Sequence, residues 1–221
     1  LRYELTWNQS NIKFLISANL ESASYYNSTK QQLYLQDSLI NFNYETNLNI
    51  FKYGVSAQAS KKILDNRLLI SLGVRMDANN YNKKTASLLQ HFSPRTSLSY
   101  ALSEKTLLNA GIGRYFQLPA YTTLGYRNSD GSLANENTAD YIGVQHYNLG
   151  IEHRFSEQSL FSIEGFYKDY FQYPIDLISG SSLANQGADY SSVAGATAAT
   201  FTGFGEAFGF ELMNRLNYNK F

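Results

Sequence analysis

Tyr53-Gly54-Val55-Ser56-Ala57-Gln58-Ala59-Ser60-Lys61-Lys62-Ile63-Leu64-Asp65-Asn66-Arg67-Leu68-Leu69-Ile70-Ser71-Leu72-Gly73-Val74-Arg75 is the stretch whose alternation decides the fold. On either side of a polar turn at 62–65, Tyr53, Val55, Ala57 and Ala59 fall opposite Val74, Leu72, Ile70 and Leu68. Lys52, Ser56 and Gln58 share the other face with Ser71, Gly73 and Arg75. Facing residues of an antiparallel pair point to one side of the sheet, so a period of two that keeps its parity across a turn marks a hairpin with one apolar and one polar face.

The same parity holds at three further turns. Around 8–11, Tyr3, Leu5 and Trp7 face Ile16, Phe14 and Ile12; around 103–105, Leu98, Tyr100 and Leu102 meet Ala110, Leu108 and Thr106. Around 156–158, Leu149, Ile151 and His153 meet Gly165, Ile163 and Phe161. These tight turns take turns with long Tyr/Ser/Asn-rich segments near 27–47, 81–93, 118–144 and 173–204. Short turns at one end and long loops at the other are the pattern of an all-β, antiparallel up-and-down transmembrane β-barrel with periplasmic turns and extracellular loops. The strands are expected at 2–8, 11–26, 48–62, 67–80, 94–102, 106–117, 145–155, 159–172 and 205–220. Nine is odd where complete bacterial barrels are usually even, so the chain reads as one stretch (1–221) of a larger barrel. Strands of 12 or more residues and aromatics near strand ends (Trp7, Tyr25, Tyr26, Tyr115, Phe116, Phe155, Tyr170, Phe171, Tyr173) weigh against a soluble β-sandwich or lipocalin-like barrel.

Composition is consistent with this reading. Eighteen basic residues balance eighteen acidic ones, which gives no argument for nucleic acid, and the absence of Cys excludes a disulfide scaffold or a thiolate metal site. Mean hydropathy is -0.33 and no apolar run reaches the ~20 residues of a membrane helix. Barrel strands escape that test because every second residue faces the lumen.

No residue pattern supplies an enzyme mechanism. There is no nucleophile elbow, no phosphate-cradling glycine loop and no cofactor motif. His91, His146 and His153 share no metal-ligand spacing and are expected at the surface or the lipid rim, so no metal site is assigned. Ser93 beside His91 lacks a positioned acid partner in the sequence. Glu152 and Glu164 share the polar face of one hairpin, where Arg75, Arg95 and Arg154 are available to compensate them. Ligand contacts are expected from the long loops, with Tyr121, Tyr126, Tyr141 and Tyr190 as stacking rings and Asn135, Asn137, Asp130 and Asp140 as hydrogen-bonding groups; the alternative for all of them is a solvated turn residue.

Ordered motifs carry a family resemblance over 93–216. Ser93-Pro94-Arg95-Thr96-Ser97-Leu98-Ser99-Tyr100 is followed by a strand ending in Tyr115-Phe116-Gln117-Leu118-Pro119-Ala120-Tyr121. Next come His146-Tyr147-Asn148-Leu149-Gly150-Ile151-Glu152-His153-Arg154-Phe155 and Glu164-Gly165-Phe166-Tyr167-Lys168-Asp169-Tyr170, then Gly203-Phe204-Gly205-Glu206-Ala207-Phe208-Gly209-Phe210-Glu211-Leu212. In that order they resemble the barrel of a TonB-dependent outer-membrane receptor. The resemblance implies a 22-stranded plugged barrel in the outer membrane of a Gram-negative bacterium. It also implies a plug domain and TonB complex as partners, outer-membrane lipid around the wall, and uptake of a scarce bulky ligand such as a siderophore, cofactor, glycan or peptide. Neither a plug nor a TonB box is present in these residues. A passive structural or adhesive barrel, or a soluble ligand-binding β-domain, are the other readings.

Overall fold

The computed structural model describes residues 1–35, 38–186 and 195–217. They form one sheet of nine antiparallel strands in sequence order: β1 (Arg2–Gln9), β2 (Ile12–Leu35), β3 (Ser38–Ile63), β4 (Leu68–Asn79), β5 (Phe92–Ser103), β6 (Thr106–Gln117), β7 (Ile142–Ser156), β8 (Ser159–Asp176) and β9 (Ala199–Leu216). The only α-helix among the described residues is α1 (Tyr121–Leu124), and no helix is long and apolar enough to cross a membrane. The sheet is up-and-down throughout and is not closed between β1 and β9.

One row of paired residues displays the outer face. Trp7, Phe14, Ala59, Leu72, Thr96, Ile112, Tyr147, Tyr167 and Phe208 are successive register partners from β1 to β9. The row one residue away runs Asn8, Lys13, Ser60, Ser71, Ser97, Gly111, Asn148, Phe166, Gly209 and faces the other side. The apolar face is the exposed one: Leu72 is 56% exposed, Leu149 59% and Phe208 77%, whereas Ser17 on the polar face is 6% exposed. A soluble sheet buries its apolar face; here water-soluble chemistry is reversed, which is stable only against lipid.

The apolar band is oblique. On β8 and β9 it ends toward the loops at Tyr167 and Phe208, beyond which Asp169 pairs Glu206. On β3 and β4 it continues past the same row through Val55 with Met76 and Tyr53 with Ala78. Strands tilted by roughly 35–45° to the membrane normal produce this stagger, because hydrogen-bonded rows then climb across a level bilayer.

The turns slide the register without changing the faces. Ser10 and Asn11 take φ of 49° and 64°, giving a two-residue turn whose twist matches the strands. Leu5 therefore pairs Ile16, and Trp7 pairs Phe14, two residues from the pairing expected by sequence. At the second turn Leu64, Asp65 and Asn66 all have positive φ, so Ala57 pairs Val74 and Ala59 pairs Leu72. The pairings expected around 156–158 are found; around 103–105 Leu98 pairs Ala110 and Tyr100 pairs Leu108 as expected, but Thr106 pairs Ser103 in place of Leu102, and each turn has a register irregularity beside it.

The segment at 27–47 is not a loop. β2 continues to Leu35 and β3 starts at Ser38, so Tyr26 pairs Asn47 and the ladder runs on to Leu35 with Ser38. The sequence there mixes polar and apolar residues at both parities, with Leu33, Tyr34 and Leu35 consecutive and Leu39 beside Ile40. That removes the alternation by which strands are recognised. β7 to β9 likewise overrun their expected ends, which narrows the last two loops to 118–141 and 177–198. Among the aromatics expected in the membrane girdle, Tyr25 and Tyr115 point inward instead: Tyr25 packs on the loop core and Tyr115 lies over Gly113.

Candidate functional site

β4, β6 and β8 end, and β5, β7 and β9 begin, at one end of the sheet, so loops 80–91, 118–141 and 177–198 gather at a common mouth. Toward this mouth the inner face of β3 turns apolar. Leu48 and Ile50 are covered by Leu124 of α1, Ala139, Ala199 and Phe201, with Tyr25, Tyr81 and Tyr121 packed around them. This small core lies inside the curve of the wall and holds the loops down.

Buried polar groups then lock the loops to one another. Asn135 is fully buried; its Nδ2 donates to the carbonyls of Thr123 (2.7 Å) and Thr197 (2.9 Å), and its Oδ1 accepts from the Ala199 amide (2.8 Å). Asn79 Nδ2 donates to Tyr141 Oη (2.9 Å), while its Oδ1 accepts from Tyr81 N and Thr85 Oγ1. Tyr81 Oη donates to Leu124 O (2.7 Å) and Asn82 Nδ2 to the carbonyls of Glu136 and Ala139. Burial drives the Tyr81 phenol well above its ordinary range, and raises Tyr141 to about 12 against the hydrogen bond from Asn79. Both tyrosines therefore stay neutral and serve as hydrogen-bonding rivets.

His91 closes the same network. It is 1% exposed, with Nδ1 3.1 Å from the Asp77 carbonyl and Nε2 3.0 Å from Asp140 Oδ1, and its ring lies 4.2 Å from that of Tyr141. Both partners can only accept, so both bonds are made together only by the imidazolium. Asp140 also accepts from Tyr141 N and Gln172 Nε2. Burial pushes its carboxyl up, but the bonds from His91 and the Tyr141 amide outweigh that and hold it below the usual carboxylate range. The surface or lipid-rim position expected for His91 is thus wrong, and the acid partner not found in the sequence is Asp140. Ser93 makes no triad with them, because its Oγ donates to the His91 carbonyl and both ring nitrogens are engaged elsewhere.

Beneath the clamped loops the wall forms a cavity of about 450 Å³, lined by Asn19, Glu21, Lys52, Arg75, Asp77, Tyr121 and Tyr141 among others. Its charges are internally paired. Lys52 Nζ is 2.8 Å from Glu21 Oε1, and Arg75 grips Asp77 through Nε and Nη2, both at 2.6 Å. Arg75 Nη2 also donates to Asn19 Oδ1 (3.3 Å), and Lys52 Nζ stands 5.3 Å from the Tyr121 ring centre. Such a surface offers hydrogen bonds and one aromatic face without a net charge.

Several of the expected ligand residues, Asp140 among them, therefore serve structure. Asn135 is a buried clamp, and Tyr141, which lines the cavity, is fixed by Asn79 and His91. Tyr121 lines the cavity; Tyr126 is half-buried in the second loop; Tyr190 lies outside the described residues. Asp130 is spent on an Asx turn to Ser132. Arg75 neutralises Asp77 and not the glutamates, and Glu164 instead accepts from Asn148 Nδ2 (3.2 Å). The charged residues Lys52, Arg75 and Asp77 were readable only as members of the inward parity.

An exposed apolar band, a polar inner wall and loops clamped across one mouth define the wall of a transmembrane barrel. The family model described as TonB dependent receptor-like, beta-barrel matches residues 1–219, and the chain belongs to this family of outer-membrane receptor barrels of Gram-negative bacteria. No curated protein matches it in sequence. Among solved structures it is similar to the copper transporter OprC (14% identity, TM-score 0.63, covering 99% of this chain and 35% of that one). It is also similar to a variant of the ferric enterobactin receptor PfeA of Pseudomonas aeruginosa (16%, 0.61, 96% and 32%) and to the ferric-catecholate import receptor Fiu of E. coli K12 (11%, 0.61, 99% and 35%). The chain spans about a third of the length of these structures.

Proposed function

We propose that this chain supplies part of the wall and outer mouth of a receptor that imports a scarce, bulky ligand by TonB-dependent active transport. The observation that carries the reading is the cavity under the mouth. Loops on a lipid-facing wall are locked together by Asn79, Asn135 and His91 and leave a polar, aromatic-lined recess on the inner side. A rigid rim around a recess suits capture of dilute ligand, because the ordering cost of the loops is met on folding and not on binding. Plug and TonB complex are the partners this reading requires. Ferric catecholate and copper, carried by structural neighbours, illustrate the cargo class.

The test is uptake by cells expressing the full-length protein that carries this chain. Accumulation of a cargo that disappears on deleting the inner-membrane energy complex supports active transport. Entry that survives the deletion would establish the passive barrel.

A further inference from the structure

The inner wall carries an alternating ladder of basic side chains and rings that the recess does not use. Arg95 on β5 pairs Gly113 on β6, Gly113 pairs His146 on β7, and His146 pairs Lys168 on β8, so these basic residues lie in one register row. The next row, Thr96, Ile112, Tyr147 and Tyr167, belongs to the lipid face, so the basic row faces the lumen. Two aromatics fill the gaps. The Arg95 guanidinium stands 4.4 Å from the Tyr115 ring centre, Tyr115 lies 6.2 Å from His146, His146 6.5 Å from Phe166, and Lys168 Nζ 4.9 Å from Phe166.

Within the described residues of this chain the cations are held but not neutralised. Among the described residues the ion pairs are Arg2–Glu4, Lys52–Glu21, Arg75–Asp77 and His91–Asp140, and neither Arg95 nor Lys168 enters one. Arg95 Nε and His146 Nε2 are shielded from solvent without a hydrogen-bond partner, an arrangement native interiors rarely leave unexplained. Ring faces hold a cation in place without quenching its charge, which leaves the positive potential directed into the lumen. Gly113 keeps the row open: a Cβ there would meet the Tyr115 ring at 2.9 Å. A recess of about 370 Å³ adjoins the ladder and is lined by Arg95, Tyr115, Ser97, Gly111 and Asn148, with no carboxylate.

We infer that the ladder Arg95–Tyr115–His146–Phe166–Lys168 is a binding strip for an anionic ligand, which assigns the cargo of the proposed transporter to the acidic class; the inference rests on that transport reading. Three strand spacings of ~4.8 Å separate the Arg95 and Lys168 backbones, so the strip fits a ligand whose acidic groups lie on the order of 10–15 Å apart. It sits nearer the mouth than the turns, since β6 runs four residues beyond Gly113 to Gln117 and seven back to Thr106. An entering ligand meets it after the charge-paired recess above.

The test uses the full-length receptor in detergent, with iron(III) tris(catechol-3,5-disulfonate) as an anionic probe and a neutral ferric tris-hydroxamate as control, bound by equilibrium dialysis. Arg95→Gln and Lys168→Gln should each weaken the anionic probe about tenfold, leave the neutral probe unchanged, and lose their effect at high salt. Lys168→Arg should retain binding, which separates charge from folding. Unchanged anion binding in both glutamine variants with a lowered melting temperature would assign the ladder to a protein partner and overturn the inference. Equal losses for both probes would overturn it as well. Energy-dependent uptake of the neutral probe without binding of the anionic one would reject the charge class while leaving the transport reading intact.

Discussion

Asn135 shows how a single side chain decides whether the mouth is a rim or a set of free loops. Its three hydrogen bonds join α1, the second long loop and the start of β9, and no water has access to replace them. Asn135→Ala takes the partner from the Ala199 amide and the Thr197 carbonyl, leaves Thr123 O only its 3.4 Å bond from Tyr126 N, and should cost roughly 2–4 kcal/mol locally. It should be read as faster hydrogen exchange at Ala199 and faster proteolysis within 118–141, with strand amides unaffected. Asp140 makes the rim sensitive to acid. Its native carboxyl lies below the unfolded value near 3.9, so it contributes stability that is present above about pH 4 and is lost as pH falls below it. Proteolysis of the rim should rise on acidification in the parent protein, and Asp140→Asn should show the raised rate already at neutral pH. A flat profile in the parent would remove the His91–Asp140 latch from the account. These roles were illegible in sequence: an Asn or Asp in a loop looks the same whether it caps solvent or closes a core, and the contact from His91 to Asp140 spans 49 residues.

At the scale of the strand, most of the fold could be read directly. Parity across four turns is a local property, so the hairpins and both faces were legible even where the register slid by two residues at Ser10 and Asn11. The extension of β2 and β3 was not, because polar and apolar residues mix at both parities beyond Tyr26 and the alternating signal is lost. Face assignment yields a substitution test on β4. Arg at Ile70 or Leu72, on the lipid side, should cost about 2–4 kcal/mol near the midplane and block membrane assembly, measured as loss of the heat-modifiable folded band. Arg at Ser71, which faces the lumen and hydrogen-bonds Ser60 at 2.8 Å, should assemble normally. Equal behaviour of the three would contradict the assigned faces.

Across the whole molecule, the sheet is a curved wall whose two surfaces meet different solvents. The outer apolar band and its oblique course specify a tilted barrel strand by strand, whereas the inner wall is divided between a charge-paired recess at the mouth and a cationic ladder below it. The sequence points to the loops for ligand contacts, whereas the basic ladder and its rings lie on the strands. The chain has no cysteine, so a label placed in it is single once any cysteine elsewhere in the receptor is replaced. The most direct test is nitroxide accessibility at Leu72→Cys and Ser71→Cys in the full-length receptor reconstituted in bilayers. The account predicts that Leu72→Cys collides with oxygen dissolved in lipid and is protected from a water-soluble nickel chelate, and that Ser71→Cys behaves oppositely. Chelate access at Leu72→Cys equal to that at Ser71→Cys would contradict a lipid-facing wall.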